Sequence, residues 1–388
     1  MGSLKKKTVY PEQNRSQRVY PEQSRKVFVG LSGGVDSSVA ALLLKKEGYN
    51  VVGIHLKCWN ENGCDEIEAE YARRVAEALK IPFYTFDLEK EYEAKVVRYM
   101  INGYKKGITP NPDVMCNREI KFGLFLKKAL ELGADYIATG HYVKLAKKGS
   151  KYALIAANDK NKDQSYFLWT LTQNDLKYCL FPIGEYKKPE IRKIAKRTKL
   201  PTADKKDSQG ICFIGKISVS DFLRKYIPIK KGNVITKEGK IIGTHDGVYF
   251  YTIGQRTGLG NLKKEKGEIE SKPYYVAGKN IKKNELIVVR GENNETLYKK
   301  EVTLTNVNFI TPHTQYSIPD TVLARVRYRQ PLSKANFKKV GSRYELTFEK
   351  PQKFVTVGQS AVFYQKNPSV NSGHRSGELR MLGGGIIV

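Results

Sequence analysis

Gly30-Leu31-Ser32-Gly33-Gly34-Val35-Asp36-Ser37-Ser38 decides how the rest of the chain reads. Before it stands Lys26-Val27-Phe28-Val29, a β-branched and aromatic run. After it, Val39-Ala40-Ala41-Leu42-Leu43-Leu44-Lys45-Lys46-Glu47-Gly48 has the make-up of a buried helix closed by a glycine. Strand, glycine turn and helix in that order aim unpaired N–H groups and the positive helix end at one point, which suits a phosphate. Gly33 and Gly34 lack the Cβ atoms that obstruct close approach, and Ser32, Ser37 and Ser38 add hydroxyl donors. The Walker loop needs Lys followed by Ser or Thr, and the dinucleotide fingerprint needs G-x-G-x-x-G. Neither fits.

The Ser-Gly-Gly-x-Asp-Ser pattern resembles instead the loop of the ATP pyrophosphatases, which split ATP between the α and β phosphates and leave AMP on a carbonyl oxygen. The competing reading is a glycine-rich turn in an unrelated α/β protein. Strand and helix patterns alternate onward from Lys26. Val51-Val52-Gly53-Ile54-His55-Leu56 is a buried strand type, residues 65–79 an acidic-started helix, and residues 82–86 and 135–140 further strands. Such alternation predicts a doubly wound parallel sheet with its ligands at the carboxyl ends of the strands. Helical signals follow over residues 162–212, from Asp175-Leu176 onward and again at 189–197.

Beyond about Ile217 the character changes to short β runs, among them residues 234–236 and Tyr249-Phe250-Tyr251-Thr252-Ile253. From about Glu301 the alternation is strongest, in residues 322–329 and in Phe354-Val355-Thr356-Val357, which predicts a small barrel. The expected division is a disordered basic tail over 1–25, an α/β catalytic domain over 26–216, a central β-rich domain over 217–300 and a β-barrel over 301–388.

The 388 residues carry a formal net charge of +29. With no apolar run approaching a membrane span, that charge points to nucleic acid, the competing reading being a lysine-rich but merely soluble surface. Five scattered cysteines with no C-x-x-C argue against a disulfide framework, a structural zinc or an iron–sulfur cluster. Residues 1–25 repeat Val-Tyr-Pro-Glu-Gln and lack the apolar core of a secretory signal, so a cytosolic protein is expected, with an organelle transit peptide left open.

Thr109-Pro110-Asn111-Pro112-Asp113-Val114-Met115-Cys116-Asn117-Arg118 is a proline-marked loop running into a helix whose apolar stripe is Phe122, Phe125, Leu126, Ala129 and Leu130. Cys116 is thereby expected near a helix N-terminus with Arg118 close by, both of which lower a thiol pKa. Asp113, three residues earlier, is positioned to act as acid or base or to orient a substrate. The alternative for Cys116 is an inert buried cysteine. Cys212 lies in Asp207-Ser208-Gln209-Gly210-Ile211-Cys212, a glycine-flanked turn, and two thiols on separate loops suit an exchange in which one carries sulfur and the other resolves a disulfide. His141, after a strand end, is either near the nucleotide or a satisfied histidine at a sheet edge.

Taken together these stretches closely resemble the tRNA-specific 2-thiouridylases, which put sulfur on C2 of the wobble uridine. The matching segments are 32–38, 109–122 (TPNPDVMCNREIKF), 135–142, 162–168 (KDQSYFL), 207–215 (DSQGICFIG), 251–260 (YTIGQRTGLG), 327–330 and 358–364 (GQSAVFY). The resemblance implies that Gly30, Leu31, Ser32, Gly33, Gly34, Val35, Asp36 and Ser37 hold ATP phosphates, with Leu56 and Gly140 on the adenosine side. It implies a persulfide on Cys212, Cys116 as nucleophile or resolving thiol, and Asp113 as its acid–base partner. It further implies that Asn111, Pro112 and Asp113 touch a flipped target base. His141, Lys162, Asp163, Gln164, Arg327, Tyr328 and Gln359 match the family's tRNA contacts, and Tyr328 between arginines also suits single-stranded RNA by residue type alone.

ATP is thus the expected co-substrate, with magnesium beside its phosphates and Asp36 the one carboxylate in reach by sequence. Expected partners are wobble-uridine tRNAs for Lys, Glu and Gln and a sulfur-relay protein or cysteine desulfurase. The expected state is a monomer away from membranes. Two rival readings remain: another ATP pyrophosphatase acting on a different carbonyl, and a catalytically silent RNA-binding protein.

Overall fold

Every other side chain of the first strand faces a different layer. In β1 (Lys26–Gly30), Val27 and Val29 are fully buried against Ala40, Leu43 and Leu44 of helix α1 (Val35–Lys46), while Phe28 packs on the opposite face with Phe125 and Leu126. Continuous burial on both faces is the mark of a strand inside a parallel sheet. A computed structural model supplies these positions and describes residues 24–59, 63–207, 217–262, 272–311, 319–366 and 377–388. The expectations for most of the tail and for Cys212 concern residues outside the described ones.

The first sheet contains β2 (Asn50–Lys57), β3 (Phe83–Asp87), β4 (Tyr136–Ala138) and the two-residue β7 (Cys179–Leu180), all parallel, in the order β3-β2-β1-β4-β7. Helices α1 and α2 (Cys64–Leu79) share one core on one face, and the helical run containing Phe125 covers the other. The predicted doubly wound sheet is what forms. One expectation is overturned at its edge: the helical signal at Asp175-Leu176 stops after a single turn, Gln173–Leu176, and the chain enters β7. There Ile137 on β4 and Thr139 just after it donate their N–H groups to Tyr178 O and Leu180 O, so pairing to the sheet wins over local helix preference.

The central part is a five-stranded sheet of order β10-β9-β8-β12-β11, built from β8 (Gly232–Thr236), β9 (Ile241–His245), β10 (Asn261–Leu262), β11 (Tyr274–Asn280) and β12 (Glu285–Arg290). Residues 249–253 are not a strand, contrary to the sequence reading. Val248–Phe250 form a 3₁₀ turn, in which the Asn284 side chain accepts the Val248 N–H at 3.1 Å and Gly247 accepts that of Phe250. Phe250 and Tyr251 are buried in the same cluster as Phe222, so burial rather than strand pairing placed the aromatics.

The C-terminal part is a closed six-stranded barrel: β13 (Tyr298–Phe309), β16 (Arg343–Lys353), β15 (Ser333–Val340), β14 (Thr321–Arg325), β17 (Ser360–Lys366) and β18 (Leu379–Ile387), with β18 pairing back to β13. Its interior is the period-two set Val322/Ala324, Ala335/Phe337, Leu346/Phe348 and Ala361/Phe363. Two expected strands are shortened or lost. The run 322–329 leaves the sheet after Arg325, with Arg329 at φ +65°, and residues 354–357 are a bend in which Phe354 adopts φ +59° to stack on Tyr275 at 6.0 Å.

A hairpin from the first part, β5 (Val143–Lys148) and β6 (Lys151–Ala156), extends the barrel sheet beside β18. While Ala361 and Phe363 point inward, Val362 and Tyr364 face the first domain beside Tyr166 and Trp169. Trp169 Nε1 donates to Ser360 Oγ at 3.0 Å and Arg325 pairs with Asp163 at 2.7 Å, both buried. The barrel is therefore fused to the first domain through a packed, hydrogen-bonded core. Among the described residues no helix is long and apolar enough to cross a membrane.

Candidate active site

The glycine loop leaves β1 at the carboxyl edge of the sheet, where the Leu31 N–H still bonds Ile54 O on β2 at 2.8 Å. Gly33 then turns through φ +68°, and a Cβ there would lie 2.4 Å from the backbone oxygen of Glu68, so α2 crowds the loop from outside. Gly34 is the N-cap of α1, and no side chain caps the helix. Its first N–H groups are left to an anion. Ser37 Oγ lies 3.2 Å from Ser32 N and from Ser32 Oγ and donates to Gly34 O, which braces the loop across itself. From the neighbouring strand end, Gly140 comes so close that a Cβ would sit 2.6 Å from Ser37 N. Leu56 is half-buried near the carboxyl end of β2. The cradle presents the N–H and hydroxyl donors that a phosphate group takes.

Charged side chains ring this cradle. Asp36 accepts the Tyr142 hydroxyl at 2.7 Å and Lys188 Nζ at 2.8 Å. Lys188 also meets Asp207 at 2.9 Å, and Lys162 and Arg192 bind the same carboxylate at 2.7 and 2.6 Å. Partial burial pushes the Asp207 pKa up, but the Lys162 and Lys188 bonds outweigh it and hold the carboxyl well below the usual range. Lys205 donates to Gly33 O at 3.1 Å and to Glu68 at 2.7 Å. The sequence reading missed Lys188, Asp207 and Lys205. One signal was available: Lys188 opens the helix Lys188–Arg197, where the dipole disfavours a cation unless an anion is near.

The second group stands on a helix that begins at Asn111, whose side chain accepts the Val114 N–H at 3.3 Å, with Pro112 in the first turn. Asp113 is in that turn and Cys116 is one turn further in, on the same side. The helix therefore starts earlier than the apolar stripe suggested, and Asp113 rather than Cys116 occupies its N-terminal turn. From Asn117 to Leu124 it continues as a π-helix before Phe125–Glu131, a wide-turn form concentrated at functional sites. Burial raises the Asp113 carboxyl pKa, only partly opposed by Lys121. Cys116 is 8% exposed.

His141 joins the two groups. It follows Gly140, is buried against Phe122 at 5.7 Å and Phe181 at 6.4 Å, and bonds Thr139 Oγ1 at 2.8 Å. Burial, then the charge of Lys121, holds its pKa well below the ordinary value, so the ring is neutral. Lys121 thus lies within electrostatic reach of both Asp113 and His141, another residue the sequence reading passed over. Phe122 and the charge of Lys121 link His141, beside Gly140 and the loop, to the helical run that carries Asp113 and Cys116.

Three family models cover most of the chain: the tRNA methyl transferase HUP domain over residues 25–216, the tRNA methyl transferase PRC-barrel domain over 220–290 and the aminomethyltransferase beta-barrel domain over 299–387. The tRNA-specific 2-thiouridylase MnmA 1 of Geobacillus kaustophilus is 45% identical over 357 residues, covering 90% of this chain and 94% of that protein. The tRNA-specific 2-thiouridylase MnmA of Bacillus subtilis is 45% identical over 354 residues, with the same shares covered. This chain belongs to the tRNA-specific 2-thiouridylase family.

Within this member of the family, the residues matched to tRNA contacts fall into two settings. Asp163 is 5% exposed and bonds Ala157 N, Ser165 and Arg325, and Gln164 Oε1 accepts the Tyr142 N–H at 2.9 Å, so both brace the strand-end region from within. Gln359 donates to backbone carbonyls of the 109–110 loop. Lys162 is bound to Asp207. Arg327 and Tyr328 are half-buried, the Tyr328 ring 4.4 Å from Phe167 and under the Arg329 guanidinium at 5.2 Å. Cys179 donates its thiol to Asp175 O, and burial pushes its pKa well up.

Proposed function

We propose that this chain uses ATP to replace the C2 oxygen of the wobble uridine of tRNA with sulfur. The observation that carries this reading is the continuity just described, from an uncapped phosphate cradle through neutral His141 to the Asp113–Cys116 turn. The family relationship supports the same substrate and the +29 charge supports an RNA partner.

On this reading the uridine O2 attacks the α phosphate of ATP held by Gly30–Ser37, and pyrophosphate leaves from the α1 N-terminus beside Lys188 and Lys205. Adenylation makes O2 a good leaving group. The terminal sulfur of a Cys212 persulfide bonds to C2, and AMP departs with the former O2. Cys116 then attacks the Cys212 sulfur, breaks the S–S bond to the transferred sulfur and closes a disulfide, which an external thiol reductant reopens. Asp113, with its raised pKa, donates and takes back the proton at the base. Asn111, Pro112 and Asp113 face the flipped base, and Arg327 and Tyr328 hold the anticodon strand by charge and stacking.

Magnesium would accompany the triphosphate, with Asp36 as the carboxylate at hand once Lys188 turns to phosphate oxygen. It would supply charge neutralisation. A cysteine desulfurase or a relay protein would load Cys212. The domain limits 26–216, 217–300 and 301–388, a monomeric state and a cytosolic setting belong to the same proposal. The test is AMP and pyrophosphate release from ATP with and without unmodified wobble-uridine tRNA. Release that requires the tRNA supports thiolation. Release indifferent to RNA favours a small-molecule carbonyl, and tight tRNA binding without any release would indicate a silent binder.

A further inference from the structure

The loop that feeds Asn111–Cys116 has an unusual donor shortage. Pro110 and Pro112 have no N–H, and residues 109–112 are all buried, so the carbonyls of Thr109 and Pro110 need partners from elsewhere. One partner from the C-terminal barrel serves both. Gln359 Nε2 donates to Thr109 O and to Pro110 O, each at 3.0 Å. Beside it, the Thr109 N–H donates to Val357 O at 2.9 Å. Gly358 lets the two chains touch: its φ is +90°, and a Cβ there would lie 2.9 Å from Thr109 O.

This barrel corner is itself pinned. The Gly358 N–H donates to Ile387 O at 2.9 Å, and the Ile387 N–H returns to Gln359 O at 2.8 Å, so the end of the last strand sets the corner. The third part of the chain arrives at the same residue, because Thr109 Oγ1 lies 3.3 Å from Thr252 Oγ1, whose own N–H is taken by Gln255. Three segments distant in sequence thus converge on Thr109, two residues before the N-cap of the helix that carries Asp113 and Cys116.

We propose that Gln359 is a positioning residue: from the barrel it fixes the 109–110 loop and thereby the aim of Asp113 and Cys116. This rests on the thiolation reading for its effect on rate, and it differs from the tRNA contact that the family resemblance implied for the same side chain. Both donor hydrogens of the amide are committed inside the protein. A small displacement of the loop would move both functional groups together, and misplacement by about 1 Å is enough to cost about a hundredfold in rate.

The experiment uses the full chain with Gln359→Met, which keeps the volume without a donor, and Gln359→Glu, which keeps the length but presents a carboxylate to the carbonyls. Single-turnover thiolation at saturating tRNA, the tRNA dissociation constant and amide hydrogen exchange are measured for each. The expected result is a rate lowered by about tenfold or more. The tRNA dissociation constant should stay within about twofold, and exchange should rise over residues 111–116 but not over α1. A tRNA constant raised about tenfold with an unchanged saturated rate would overturn the proposal in favour of an RNA contact. Unchanged exchange over 111–116 in both variants would overturn it outright. Because exchange needs no turnover, a wild-type protein inactive in thiolation would count against the function and leave this inference decided by exchange alone.

Discussion

Gly33 is the residue on which the phosphate cradle turns. Its φ of +68° costs an L side chain about 1–2 kcal/mol, and a Cβ would additionally meet the Glu68 backbone at 2.4 Å. Gly33→Ala is expected to weaken ATP binding by about tenfold or more, equivalent to about 1.4 kcal/mol, measured by calorimetry on protein checked for folding. Asp113 gives a prediction of the opposite kind. Burial raises its pKa, so the folded state holds its proton more tightly than the unfolded state, and ionising it opposes folding. That penalty is complete above the raised value and vanishes as the pH falls below the ordinary carboxylate pKa. Asp113→Asn should therefore be more stable than wild type at pH 7 in urea, with the gap closing in acid, while thiolation falls by about 10²–10⁴. That Asp113 opposes stability was not legible in the sequence, because desolvation depends on the helix packed around it.

At the level of elements, periodicity was informative where one rule acted alone. The alternation in residues 322–325 became a barrel strand, since Val322 and Ala324 have the barrel core to enter. It misled in residues 249–253 and 354–357, where aromatic side chains are held by burial and stacking on bends rather than by strand pairing. The glycine loop was legible because strand, turn and helix are contiguous. The ring of Lys162, Lys188, Arg192 and Asp207 was not, because its members come from three separate stretches and meet only after folding. Asp207 has its pKa held down by that ring, so its contribution to stability is present above the ordinary carboxylate range and is lost as the pH falls through the lowered value. Asp207→Asn should cost about 1–2 kcal/mol in urea at pH 7, discounted for partial exposure, and nothing in strong acid.

For the whole molecule, the decisive feature is that the barrel is built into the first domain. The β5–β6 hairpin adds to the barrel sheet, Ser360 takes the Trp169 indole N–H, and Asp163–Arg325 is a salt bridge with side chains 5% and 8% exposed. Arg325→Met leaves a buried carboxylate with its remaining bonds only, and a loss of about 3–5 kcal/mol is expected from the urea midpoint of the full chain. None of this joint was visible in the sequence, where residues 143–156 lay inside the expected 26–216 domain with no element assigned to them. One measurement reads the thiolation chemistry most directly. Unmodified wobble-uridine tRNA is incubated with ATP, magnesium, a thiol reductant and a cysteine desulfurase with cysteine as the sulfane-sulfur source, using wild type, Cys116→Ser and Cys212→Ser, and digested nucleosides are read by mass spectrometry. The account predicts 2-thiouridine from wild type and its loss in Cys116→Ser and Cys212→Ser. AMP formation with no 2-thiouridine from the wild-type protein would contradict it.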